Sequence, residues 1–121
     1  MKNFFLVLVF FVMAVMFTTG IQAQDSGKKV KMKRFLVERT FPEGLIIPVN
    51  EQGSEICLNV VSTNAEDQVT WVHSYVTMDK KKTFCIYDAP SPEAIMKAGK
   101  NNKLPVDRIT EVSVLDPYFY K

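Results

Sequence analysis

Asn50-Glu51 and Ser91-Pro92-Glu93 both read as helix beginnings, and the stretches before, between and after the helices they open read as strands. Asn and Ser accept hydrogen bonds from the free N–H groups of a first helical turn. Proline is preset for the first helical position, and an acid there meets the positive end of the helix dipole. Within EQGSEICLNVVSTNAEDQ, residues Gly53, Cys57, Val60, Val61 and Asn64 fall on one helical stripe with Ile56 beside them. The second helix, AIMKAGKNN, carries Ile95, Met96 and Ala98, with Lys97 and Lys100 suited to its C-terminal end. KRFLVERTF, VTWVHSYV, TFCIYDA and ITEVSVL have the β-branched and aromatic content of strands, and TMDKKKT has the length of a hairpin loop. PEGLIIPVN, bounded by Pro42 and Pro48, is a loop whose Leu45, Ile46 and Ile47 cover an edge of the core. The order β-α-β-β-α-β predicts a ferredoxin-like α+β domain. Its antiparallel sheet has the spatial order 4-1-3-2, with two helices on one face and nothing on the other.

The N-terminus does not belong to that domain. Lys2, an apolar run from Phe4 to Phe17, and small and polar residues ending in Ile21-Gln22-Ala23 have the layout of a secretory signal peptide. The run is shorter than the ~20 residues of a spanning helix, so cleavage after Ala23 is predicted rather than retention as an anchor. No cysteine follows that point, so a lipoprotein anchor is not indicated. Removal of residues 1–23 leaves 121 − 23 = 98 residues, enough for one small domain. Residues 24–32 are then a polar, basic leader and residues 33–121 the domain, in the periplasm or outside the cell.

The formal net charge is +2. Lysines at 28, 29, 31, 33 and 80–82 form the basic clusters, and no aromatic residue interleaves them. A solvated tail and a hairpin tip account for them, and nucleic-acid binding is not indicated.

Alternation along the strands splits them into two faces. The helices' apolar stripes claim Phe35 and Val37, Val72 and Val76, Phe84 and Ile86, and Val112 and Val114. Glu38, Trp71, His73, Tyr75, Cys85, Tyr87 and Glu111 then share the open face. With strands ~4.8 Å apart, Glu38, His73 and Cys85 converge on one small ligand, and Tyr75, Tyr87, Glu111 and Trp71 surround them. Carboxylate, imidazole and thiolate are the donors that borderline transition metals prefer. Plainer readings compete. A lone strand histidine is commonly a hydrogen-bonded surface residue, an aromatic stripe is commonly a dimer interface, and Cys85 can be a small packed residue. On this face assignment Cys57 points into the core and Cys85 away from it, which bars a disulfide and predicts two free thiols.

FLVERTFPEGL, VTWVHSYV, KTFCIYDAPSPEAI and LPVDRITEVSVLDPYFY together resemble a small bacterial family, long classed as a domain of unknown function, with nickel-binding ferredoxin-like members. The likeness runs from about Phe35 to Tyr120. It implies a ferredoxin-like fold, commonly a homodimer, that binds nickel or a similar divalent ion without established catalysis. The signal peptide departs from the short cytosolic form of that family. The leading reading is an exported, non-catalytic, dimeric metal binder with His73 as a ligand and Glu38 and Cys85 beside it. The alternative is a cofactor-free monooxygenase or isomerase of the dimeric ferredoxin-like type, with His73 as acid or base in a pocket lined by Trp71 and Tyr75. No second base, nucleophile motif, phosphate loop or nucleotide fingerprint accompanies it. A third reading is an interaction module whose aromatic face and DPYFYK tail dock a partner.

Overall fold

A computed structural model describes residues 29–120 of the chain. The signal peptide at 1–23 and the leader up to residue 28 lie outside the described residues. No helix among the described residues is long and apolar enough to cross a membrane. The elements follow the predicted order: β1 (Lys33–Thr40), α1 (Glu51–Glu66), β2 (Thr70–Val76), β3 (Lys82–Ala89), α2 (Pro92–Asn101) and β4 (Arg108–Val112), then a 3-10 turn at Pro117–Tyr120. The sheet order is β2-β3-β1-β4, antiparallel throughout, which is the ferredoxin-like arrangement.

Both helix starts carry the expected caps. Asn50 Oδ1 accepts from the Gly53 N–H at 3.0 Å, and Ser91 Oγ accepts from the Ala94 N–H at 3.2 Å. The first helix stops at Glu66, before the Asp67-Gln68 of its apolar repeat. The Asn64 carbonyl accepts from the Asp67 and Val69 N–H groups, and Gln68 turns left-handed at φ 60°. Acidic residues at a helix C-terminus oppose the dipole. Here Asp67 is offset by α2, whose Lys97 approaches it at 3.1 Å. Asn102 also donates to Asn64 Oδ1 at 2.9 Å, so the two helices are tied end to end. The β2–β3 hairpin tip is closed by Asp79, which accepts from the Thr77 hydroxyl and the Lys81 N–H.

Register fixes the faces. Phe35, Val37 and Arg39 of β1 pair with Tyr87, Cys85 and Thr83 of β3. These residues, with Ala89, are buried beneath the helices, where Ile95 and Ala98 of α2 complete the core. Paired residues share a face. The predicted faces of β3 are therefore reversed: Cys85 and Tyr87 point to the helices, Phe84 and Ile86 to the open side. A shift of one residue inverts a whole strand, and the pairing with Phe35 and Val37 overrides the larger apolar side chains of Phe84 and Ile86.

Strand β4 is corrected twice. Val112 pairs with Arg34 on the open side, while Ile109 and Glu111 pair with Val37 and Phe35 on the helix side. The strand also ends at Val112 rather than continuing through Leu115. Among the described residues its neighbour is β1, which starts at Lys33 opposite Ser113, so Val114 and Leu115 run past the end of that strand; Ser113, Val114 and Leu115 are all exposed.

Candidate functional site on the open sheet face

Strand β2 contains a bulge between Trp71 and His73. Trp71 pairs with Tyr87, whereas His73 pairs with Ile86 and Tyr75 with Phe84. The extra residue, Val72, changes the phase of the strand. Trp71 therefore faces the helices, and His73 and Tyr75 face the open side. A strict alternation keeps all three together; the bulge separates them.

The open face thus carries two cross-strand rows. His73, Ile86, Leu36 and Thr110 form one; Tyr75, Phe84, Glu38 and Arg108 form the other. His73 and Tyr75 meet edge to face, ring centroids 5.1 Å apart and planes at 87°. Leu36, Phe84 and Ile86 are half-buried and Tyr75 is 65% exposed, so an apolar and aromatic surface surrounds an exposed imidazole.

Of the residues proposed to converge, His73, Glu38 and Tyr75 lie on this face. Cys85, Tyr87 and Trp71 lie on the opposite one, and Glu111 stands on the helix side of edge strand β4, 3.6 Å from Lys33. His73 and Glu38 are two strands and one row apart, ~10 Å by strand spacing alone. Glu38 is paired with Lys82 at 3.5 Å, and that ammonium also lies 5.5 Å over the Phe84 ring. Among the described residues no group of three or more His, Cys, Asp and Glu side chains is placed to hold a metal ion. The described residues of a single chain offer one good nitrogen donor and not a coordination shell.

Sequence reasoning missed what lies on the helix side. Arg39 and Thr83 are buried there at 3% and 2% exposure, beside Cys85 and Tyr87. The signal was legible: Arg39 continues the inward phase of Phe35 and Val37, where a charged residue is out of place unless it has a task. Both cysteines are free, as expected, but not because they point apart. Cys57 and Cys85 line the same cavity between α1 and the sheet.

A family model described as nickel responsive protein SCO4226-like matches residues 35–112. The chain belongs to that family. The match opens in β1 and closes on the last residue of β4, so it reaches all four strands and takes in both helices. It makes this a nickel-related protein. Among solved structures, the crystal structure of SCO4226 from Streptomyces coelicolor A3(2) is similar, with TM-score 0.56 and 16% identity, covering 69% of this chain and 99% of that one. At that identity the likeness speaks for the fold. No curated protein matches the chain.

Proposed function

We propose that this member of the nickel-responsive family is an exported, non-catalytic protein that binds nickel as a homodimer, with His73 as a ligand. The observation that carries the reading is the position of the chain's sole histidine: exposed, on the face that no helix covers, among Tyr75, Phe84, Ile86 and Leu36. Imidazole is a good donor for nickel, and an aromatic and apolar surface of this kind suits contact with a second copy. The described residues of one chain hold no three-donor cluster, and a second copy packed on the same face would supply the remaining ligands. Glu38 and Tyr75 are the nearest candidates on that face; Cys85, buried beneath the helices, would require the sheet to open.

The acid–base alternative loses its pocket. Trp71 lies on the opposite side of the sheet from His73, so of the two proposed aromatic walls only Tyr75 remains beside the imidazole. Nickel titration calorimetry on the purified protein tests the proposal. His73→Ala is expected to abolish the binding isotherm, and wild-type affinity is expected to fall on acidification because the metal needs a neutral imidazole. Unchanged nickel affinity in His73→Ala removes His73 from the site.

A further inference from the structure

On the helix side, α1, the Phe41–Ile47 segment and the sheet line a cavity of about 210 Å³, and Ile46 and Ile56 are among the lining residues exposed to solvent. Its walls are almost wholly apolar, with Leu45, Ile56, Val60, Trp71 and Val76 prominent. An engineered apolar cavity of roughly 150 Å³ accepts benzene. The space here therefore suits a ligand on the order of eight to ten non-hydrogen atoms.

Polar residues stand at the sheet floor of that cavity. Arg39 lines it together with Thr83 and Tyr87; its side chain is buried and makes no ion pair among the described residues. Arg39 Nη1 donates to the Pro105 carbonyl at 2.5 Å, and Nη2 donates to the Tyr87 hydroxyl at 3.3 Å. The guanidinium carbon sits 5.7 Å from the Tyr87 ring centre. The Nε–H has no acceptor among the described residues. A permanently charged group withdrawn from water without a counter-charge is costly, and removal of an anionic partner is what leaves a site in that state. Tyr87 adds a hydroxyl whose pKa burial raises above the usual tyrosine value, and Thr83 adds another beside it. Positive charge and hydroxyls on the floor under an apolar chamber define an amphiphile with one acidic end.

We infer that this cavity binds a small apolar monocarboxylate, its hydrocarbon chain or ring among Leu45, Ile56, Val60 and Trp71 and its carboxylate on Arg39. This site is separate from the open face and does not depend on the nickel reading. Trp71, the sole tryptophan, lines the chamber and donates to Ser74 Oγ at 2.8 Å, so its emission reports occupancy.

The test titrates the purified protein with octanoate and with 1-octanol, following Trp71 fluorescence and confirming by calorimetry. Both share an eight-carbon body; only octanoate brings a negative charge to Arg39. Octanoate is expected to bind about tenfold tighter or more, the worth of a charge-assisted hydrogen bond. Arg39→Gln should bring octanoate down to the affinity of octanol. Because that substitution touches the core, Val60→Phe serves as a second variant: it narrows the chamber, leaves Arg39 in place and should weaken both ligands. His73→Ala should change neither, which keeps the outcome distinct from that of the nickel experiment. Equal binding of octanoate and octanol, or no response of Trp71 to either below their self-association, overturns the inference.

Discussion

Replacing Gly53 by alanine sets two forces against each other. Gly53 is the third residue of α1 and does not need a left-handed backbone, so propensity alone favours alanine by about 1 kcal/mol. The surroundings oppose it. A Cβ built there lies 1.7 Å from the Pro48 carbonyl oxygen, 2.9 Å from the Pro48 carbonyl carbon and 3.3 Å from Ile47 Cγ2. Carbon–oxygen contacts close at about 3.3 Å, so the Pro48 peptide must retreat by roughly 1.5 Å. That motion moves Ile47, which lines the cavity, and loosens the Asn50 cap on the Gly53 N–H. Forced repacking costs about 1–3 kcal/mol or more, and loss of a cap about 1. Against the propensity gain, the net destabilisation is about 1–3 kcal/mol, which for a domain of this size lowers Tm by roughly 5–15 °C. Circular dichroism melts of wild type and Gly53→Ala measure it. A Tm equal to or above wild type refutes the close approach of the Ile47–Pro48 segment to α1.

Other substitutions follow the same logic. Ile95→Ala removes a core side chain that is 1% exposed between α2 and the sheet, and urea denaturation should show a loss of about 2–5 kcal/mol. Arg34 holds the Asp88 carboxyl below the usual carboxylate range, chiefly through hydrogen bonds of 2.8 and 2.9 Å. The folded carboxyl is the stronger acid. Its contribution is therefore complete above the unfolded value of about 3.9 and drains away as pH falls through the depressed one. Asp88→Asn should melt below wild type at neutral pH, with the difference closing in acid; a gap that persists at the acid end contradicts the pairing.

The element order was legible because each start and stop has a local chemical cause. Asn50, Ser91-Pro92 and the Asp79 hairpin act through their own neighbours in sequence. Faces were less legible because they depend on partners. Phe35 and Val37 turned inward as alternation required, yet Phe84 and Ile86 did not, since β3 must match the register of β1. The bulge at Val72 has no sequence signature here: no glycine marks it, and it alone parts Trp71 from His73. The proposed trio of donors failed as a single-chain cluster for those two reasons, while His73 and Glu38 kept the open face. The inward phase of Arg39 was legible from Phe35 and Val37, but its burial was not, because that depends on the loop at Pro105 closing over it.

Crystals grown with nickel and measured at the nickel absorption edge would locate the metal relative to His73. An anomalous peak on the His73 imidazole, completed by donors from a second copy across the open sheet face, is the expected result. A peak remote from His73, or one whose protein donors all come from one chain, contradicts it.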